Sequence, residues 1–148
     1  MEIFGEHHLN KNYLVRKGAY AIIFKDVTRT KIGLIRAHGD QYFLPGGGIE
    51  QNETPQVTLQ REMLEESGYT LKNIKWLCRA QKYFIATIPI KQAMLSDGYF
   101  YLAQLADKKQ LPSENDNHFE WVDVNDYQRL LFHEHQSYAV SVALAYYL

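Results

Sequence analysis

The sequence predicts one domain of the mixed α/β or α+β class, because β-rich apolar segments recur along the chain and well-bracketed helices lie between them. The chain has 148 residues, and a domain of that length buries roughly 70% of its unfolded surface. No repeat, low-complexity tract or linker interrupts it. We therefore expect a single domain over residues 1–148.

The first strands are predicted from apolar runs and turn residues. Residues 19–24 (AYAIIF) are apolar throughout, as in a central strand that is buried on both faces. Further strands are expected at residues 31–36 and 41–44. The second of these precedes a proline and three glycines at residues 45–48, which predict a turn and a loop.

Later strands follow from alternation. Residues 74–80 alternate apolar and polar side chains with the period of two of a strand, which places Cys78 on the apolar side. A strand at residues 99–105 is expected to pair with the first strand, after an irregular connection at residues 89–97. A short strand is expected at residues 119–122.

The helix at residues 55–67 has clear signals at both ends. Thr54 suits the N-cap and Pro55 suits the first helical position, because proline there loses no hydrogen bond. Gly68 suits the C-terminal stop. We therefore expect the helix to begin and end at these residues.

Two helices are expected near the C-terminus. Asn125 is the predicted cap of a short helix that runs to residue 131. Residues 134–148 form a second helix that is apolar almost all round after Ser137. Such a helix packs on a sheet or at a subunit contact. The second alternative would make the protein a homodimer.

Composition excludes several classes of protein. A net charge of −1 provides no basic field for a nucleic acid polymer. No stretch reaches the 18 or more apolar residues of a membrane span. The N-terminus lacks the layout of a secretory signal, and the single Cys78 cannot form an internal disulfide. We therefore expect a cytoplasmic protein.

Acidic side chains share one face of the predicted 55–67 helix. Glu62, Glu65 and Glu66 fall within a sector of about 100°. The opposite half carries Val57, Leu59, Met63 and Leu64. Like charges at this spacing cost a few tenths of a kcal/mol per pair, which a bound cation would offset. Mg²⁺ prefers such oxygens, although spacing alone also fits a solvated acidic face.

The glycine turn and the helix together match the pattern G-x5-E-x7-R-E-U-x-E-E-x-G-U, in which U is a bulky apolar residue. The match spans 23 residues, from 47 to 69, and its positions are Gly47, Glu53, Arg61, Glu62, Met63, Glu65, Glu66, Gly68 and Tyr69. Every charged and glycine position is present, and only Met63 and Tyr69 depart from the usual Ile, Leu or Val. On these residues the chain resembles the Nudix box of the MutT-like Nudix hydrolases.

This resemblance implies a fold, an activity and a cofactor. The fold would be the Nudix-type α/β/α sandwich around a mixed β-sheet. The activity would be metal-dependent cleavage of a nucleoside diphosphate linked to another group, by water attack on phosphorus. The cofactor would be Mg²⁺, with Mn²⁺ as a second supporting ion. The partner would be a small-molecule nucleotide.

The resemblance also implies roles for the box residues. Glu62, Glu65 and Glu66 would bind the metal, with a backbone carbonyl near Gly46. In the alternative role, Glu62 would accept the proton from the attacking water. Arg61 would orient the carboxylate of Glu53 or Glu62 by a bidentate contact. The two readings of Glu62 stay open.

A further acid is expected outside the box, because one helix face covers only one side of a metal site. MutT-like enzymes often supply this acid from the connection before the last strand. Glu120 resembles that residue by its place beside Trp121, and Glu114 and Asp116 lie in the same stretch. The alternative is that these are solvated loop acids.

The residues that would bind the substrate stay unknown. Basic residues that can reach phosphates are Arg16, Lys31 and Arg36, and aromatic residues that can stack on a base are Tyr42, Phe43, Tyr83, Phe84 and Tyr99. The histidines show no metal-site pattern. A nucleoside triphosphate, including an oxidised one, and ADP-ribose-like compounds are the expected substrates. A nucleotide-sensing module without catalysis and a plain structural domain are the rival readings.

Overall fold

A computed structural model describes residues 1–113 and 116–147, in which eight strands form two sheets. The strands are β1 (Glu2–Phe4), β2 (Leu14–Ile23), β3 (Lys31–Arg36), β4 (Tyr42–Phe43), β5 (Gly46–Gly48), β6 (Tyr69–Ala86), β7 (Gln92–Lys108) and β8 (His118–Asp123). The helices are α1 (Pro55–Ser67), α2 (Tyr127–Leu130) and α3 (Glu134–Tyr146). The predicted strands are therefore present, and most are longer than expected.

The larger sheet is mixed and has the strand order β1-β6-β7-β2-β5. The predicted pairing of the strand at residues 99–105 with the first strand is confirmed, since Ala19 to Ile23 of β2 face Tyr99 to Ala103 of β7 in parallel. The expected irregular connection at residues 89–97 is wrong. The antiparallel pairing of β6 and β7 begins at Ala86 and Gln92, so β7 already includes most of that segment.

Helices cover both faces of this sheet. Neighbouring residues of a strand point to opposite faces, and Ala21 belongs to the buried cluster that contains Leu59 and Met63 of α1. Ile22 belongs to the other cluster, with Ala139 and Val140 of α3. The mixed α+β class and the α/β/α arrangement are thus confirmed, and α3 packs on the sheet.

Two details near the C-terminus differ from expectation. The predicted cap Asn125 is wrong, because the Asp123 side chain accepts the hydrogen bond from the Asn125 backbone N–H and a 3-10 turn precedes α2. Helix α3 ends at Tyr146, and Leu148 lies outside the described residues. Within the described ranges, no helix combines the length and apolarity needed to cross a bilayer.

The glycines at residues 46–48 form strand β5, where a turn and loop were expected. They pair antiparallel with Gly18, Ala19 and Tyr20 of β2. A Cβ on Gly46 would lie 2.0 Å from the Ala19 carbonyl oxygen, and its φ is +136°. Only glycine fits so close to the neighbouring backbone. Strand β5 forms the edge of the larger sheet beside β2, and residues 49–54 join it to α1.

Candidate active site

The predicted bounds of α1 are confirmed by its caps. Thr54 Oγ1 accepts a hydrogen bond from the Val57 N–H at 3.2 Å, and Pro55 occupies the first turn. Gly68 ends the helix in the left-handed conformation with φ +81°, where a Cβ would lie 1.9 Å from the Gln110 carbonyl oxygen. The caps bind backbone groups at the two ends of the helix and so set where α1 begins and ends.

The apolar half of α1 is partly as predicted. Leu59 and Met63 are buried against the sheet, each with 1% exposure. Val57, expected on the same half, is 52% exposed, because at about 100° per residue it lies about 160° around the helix from Leu59. Two buried side chains and Thr58 thus fix the rotation of the helix and direct Glu62 and Glu66 toward β5.

Arg61 lies at the centre of the acidic segment. Its Nε donates to Glu53 Oε2 at 2.7 Å and its Nη2 to Glu53 Oε1 at 2.9 Å. Nη1 donates to Glu62 Oε1 at 3.0 Å, and lies 3.6 Å from Glu65 Oε2. Nη2 also donates to the Gly48 carbonyl. The guanidinium therefore ties α1 to β5 and offsets the repulsion between the carboxylates.

Glu53 is held as a carboxylate. The hydrogen bonds from Arg61, followed by those from the Glu50 backbone N–H and the Thr58 hydroxyl, lower the Glu53 pKa to about 2. The same pairing raises the pKa of Arg61 above its usual value. The predicted bidentate contact is thus made to Glu53, whereas Glu62 receives a single bond from Arg61.

Glu62 and Glu66 both contact β5. A Cβ on Gly47 would lie 2.5 Å from Glu62 Oε1, so the carboxylate occupies space that only glycine leaves. Glu66 is 5% exposed, and its Oε1 accepts a hydrogen bond from the Gly46 N–H at 3.1 Å. The glycine strand therefore seats two of the three predicted metal-binding carboxylates.

A cleft of about 430 Å³ opens beside these carboxylates, between the two sheets and the start of α3. Glu62, Glu66 and the backbone of residues 46 and 47 form one wall. Other residues that line it are Arg16, Tyr20, Phe43, Asn117, His133 and Gln136. Acidic, basic and aromatic side chains thus face one cavity, as in a site for a small polar ligand.

His133 and Gln136 are cleft residues that sequence reasoning missed. Burial and the nearby Lys82 lower the pKa of His133 to about 4, so the ring is neutral at pH 7. Gln136 is buried, and its Oε1 accepts the Leu44 N–H at 2.8 Å. Nothing in the local pattern around residue 133 marks this position, because the cleft forms only when α3 packs on the sheet.

Several predicted site residues are not brought into the cleft. Glu120 Oε2 accepts a hydrogen bond from Arg36 Nε at 2.5 Å and its Oε1 accepts one from the Tyr42 hydroxyl at 3.2 Å. Glu120 pairs across the sheet with Leu34, whose side chain is buried on the α3 side. Glu120 and its two hydrogen-bond partners do not line the cleft, so its carboxylate is engaged outside the site that Glu62 and Glu66 form.

The other candidates divide between the cleft and the rest of the surface. Arg16 and Phe43 line the cleft, as does Asn117 from the connection before β8. The remaining basic and aromatic candidates do not line it: Lys31, Arg36, Tyr42, Tyr83, Phe84 and Tyr99. Asp116 is exposed, and Glu114 lies outside the described residues.

The oxygen donors of the cleft suit a hard divalent cation. In residues 1–113 and 116–147, no three His, Cys, Asp or Glu side chains are gathered around one metal position. The reason is visible at Glu65, which turns to Arg61 and is 35% exposed, whereas Glu62 and Glu66 line the cleft. Two carboxylates are compatible with Mg²⁺, which commonly uses one or two together with substrate phosphates.

A relative of known activity matches most of the chain. The CMP-5'-(N-acetyl-N-hydroxy-3-aminopropyl)phosphonate hydrolase of Streptomyces rubellomurinus is 33% identical over 114 residues, which cover 74% of this chain and 50% of that protein. The chain thus spans about half the length of this curated relative.

Solved structures share the fold. A NUDIX hydrolase from Nitrosomonas europaea superposes with a TM-score of 0.71 at 13% identity, covering 89% of this chain and 90% of that chain. A MutT NUDIX hydrolase from Burkholderia pseudomallei has a TM-score of 0.66 at 24% identity, covering 86% and 97%. A model of the NUDIX domain family matches residues 15–142. With this match over most of its length and a MutT-like fold, the chain belongs to the Nudix hydrolase superfamily.

Proposed function

We propose that this protein is a metal-dependent pyrophosphohydrolase that cleaves a nucleoside diphosphate linked to another group. The observation that carries the proposal is the seating of Glu62 and Glu66 on one wall of the cleft, where Arg16 also lies. Phosphoryl transfer needs carboxylates that bind a metal cation and a positively charged side chain that binds phosphate oxygens, and the cleft contains both.

The proposed metal ligands are Glu62, Glu65 and Glu66, with the backbone carbonyl of Gly46. Their donors are all oxygens, which favours Mg²⁺ or Mn²⁺ over zinc. When bound, such an ion lowers the pKa of coordinated water and neutralises charge on the phosphates. Glu65 does not line the cleft, so a change of its side-chain rotamer is part of this proposal.

The residues of the chain then have distinct tasks. The oxygen of water attacks phosphorus, the P–O bond of the anhydride breaks, and the proton of the water passes to a carboxylate. Glu62 is the proposed acceptor or a metal ligand, and Arg61 orients it through the bond at 3.0 Å. Glu53 keeps Arg61 in place. Arg16 offers its cation to a phosphate oxygen.

The proposed substrates are nucleoside triphosphates, including oxidised ones, and ADP-ribose-like compounds. The name of the relative from Streptomyces rubellomurinus adds a cytidylyl phosphonate to this set. The feature common to all of them is a nucleotide joined through a phosphorus anhydride. Specificity within the set depends on the side chains of the cleft.

A substrate panel tests the proposal. The protein is incubated with members of each class in the presence of Mg²⁺, and nucleotide products are separated by chromatography. We expect turnover of at least one class, full loss with excess chelator, recovery with Mg²⁺ or Mn²⁺, and no recovery with Zn²⁺. Undiminished turnover in chelator would overturn the metal mechanism. Tight nucleotide binding without any product would favour the rival reading of a sensing module.

A further inference from the structure

A second cavity, of about 530 Å³, opens at the other end of β2. Its floor is apolar and buried, formed by Ile22, Leu102 and Ala103. Aromatic rings border it at Phe24, Trp121 and Tyr147. None of these residues lines the cleft, which lies against the preceding part of β2. The cavity has the size and mixed lining of a small-molecule site.

The cavity is basic in a chain that is slightly acidic. Its lining contains four bases, Lys25, Arg29, Lys72 and Lys75. The acid of the lining is Asp26, whose Oδ1 accepts hydrogen bonds from the backbone N–H and hydroxyl of Thr28. The described lining thus has a formal charge of +3, against −1 for the chain. In residues 1–113 and 116–147, no acid lies within 4.0 Å of the four bases as an ion pair.

A β-bulge places two of these bases on the same side. Lys72 pairs with Gln104 and Lys75 with Leu102, so three steps along β6 match two steps along β7. In a regular strand, residues three apart point to opposite faces. The extra residue of the bulge, next to Asn73 with φ +53°, directs Lys72 and Lys75 to one face.

Aromatic rings from the end of α3 contact Arg29 and Lys75 at the rim. The Arg29 guanidinium lies over the Tyr147 ring, 4.2 Å from its centroid. Lys75 Nζ donates to the Tyr146 hydroxyl at 3.1 Å and lies 5.5 Å from the centroid of that ring. The Arg29 contact uses the face of the ring and leaves its N–H groups available as donors to an anion, and Lys75 keeps the N–H groups that do not bind the Tyr146 hydroxyl.

We propose that this cavity is a second ligand site, outside the cleft, that binds a nucleoside phosphate. The bases bind the phosphate, since Lys72, Lys75 and Arg29 converge on one opening. Trp121, which borders the cavity, contacts the flat nucleoside part. A ligand with both an anionic and an aromatic part uses the whole lining, whereas inorganic phosphate uses only the rim.

Tryptophan fluorescence tests this site. The chain has two tryptophans, and W76F leaves Trp121 as the reporter inside the cavity. AMP is titrated into W76F at low salt without divalent cations, with inorganic phosphate and adenosine as separate titrants. We expect saturable quenching of Trp121 by AMP, and weaker binding of adenosine and phosphate by at least about tenfold each.

Variants then locate the ligand. K72Q/K75Q in the W76F background should weaken AMP binding by at least about tenfold. K108Q/K109Q removes the same charge from two exposed lysines outside the cavity and should change binding less than about twofold. R29Q provides a second cavity variant if the first does not fold. R16Q, in the cleft, should leave the quenching unchanged.

Three outcomes would overturn the proposal. One is the absence of saturable quenching at millimolar AMP. Another is equal binding of AMP and phosphate, which would leave an anion site without nucleoside recognition. The third is loss of quenching in R16Q with retention in K72Q/K75Q, which would place AMP in the cleft alone. None of these outcomes depends on whether the cleft is catalytic.

Discussion

Arg61 donates to both carboxylate oxygens of Glu53, at 2.7 and 2.9 Å, while a further nitrogen of the same guanidinium donates to Glu62 at 3.0 Å. The planar fork of arginine is needed for this arrangement, because lysine offers one point charge in place of several fixed donors. Glu53 belongs to the loop before α1 and Glu62 to the helix, so Arg61 fixes the loop relative to the carboxylate face.

We therefore expect R61K to keep the charge but lose the arrangement. The melting temperature should fall by about 3–10 °C as hydrogen bonds to charged groups are lost. Turnover should fall by at least about tenfold because Glu62 is no longer held. Thermal denaturation and steady-state kinetics measure the two effects. Wild-type kcat in R61K would contradict the positioning role, whatever the change in stability.

Replacing Glu65 or Glu66, two of the proposed metal ligands, should lower turnover while the protein stays folded. E66Q keeps an Oε1 oxygen that accepts the hydrogen bond from the Gly46 N–H, so the fold should persist. Turnover should fall at least about a hundredfold in E65Q and in E66Q. Stability without metal should be unchanged or higher, because one like charge is removed.

The matched control for these variants is E2Q, which removes the same charge at an exposed position in β1. Its turnover should stay within about twofold of the wild type. Calorimetric titration with Mg²⁺ provides a second readout. Near wild-type activity of E65Q and E66Q at saturating Mg²⁺ would show that these carboxylates are not ligands.

Glu120 is expected to be structural. Its carboxylate holds Arg36 and the Tyr42 hydroxyl, which joins β8 to β3 and β4. E120Q should lower the melting temperature by about 2–6 °C and leave kcat within about twofold. Measuring kcat and the melting temperature of E120Q distinguishes a structural role of Glu120 from a catalytic one. A large loss of kcat with unchanged stability would restore the catalytic role that the sequence predicts.

The buried histidines predict a pH dependence of stability. Burial lowers the pKa of His133 to about 4 and that of His135 to about 3. Below about pH 6.5 the unfolded chain binds protons at these rings and the folded chain does not, so unfolding becomes more favourable. With respect to these two groups, the free energy of unfolding should be at its maximum above about pH 6.5 and should decrease as the pH falls toward 4.

Urea denaturation between pH 7.5 and 5 measures this slope in a window where few carboxylates titrate. H133Q should flatten the slope, since one of the two groups is removed. H38Q is the control, because His38 is exposed and far in sequence from the two buried rings, and it should leave the slope unchanged. A wild-type stability that is constant over this range would contradict the assignment of neutral buried rings.

The sequence by itself determined α1, its caps and the carboxylate face. These features depend on side chains within one or two helical turns of each other, such as Thr54 with the Val57 N–H, and local patterns express such contacts directly. The contact of Arg61 with Glu53 was also predictable, because the resemblance to the Nudix box assigns a role to both positions.

The tertiary structure alone decided which distant residues share a cavity. Arg16 and His133 join Glu66 at the cleft because of how β2 and α3 pack. Glu120 binds Arg36 and Tyr42 outside the cleft because the register of β8 against β3 sets which side each residue takes, and a shift of one residue reverses that side. The bulge between Lys72 and Lys75 likewise sets which face of β6 these two lysines occupy, and so brings both to the second cavity. Strand register depends on contacts between segments far apart in the chain, and local patterns do not carry that information.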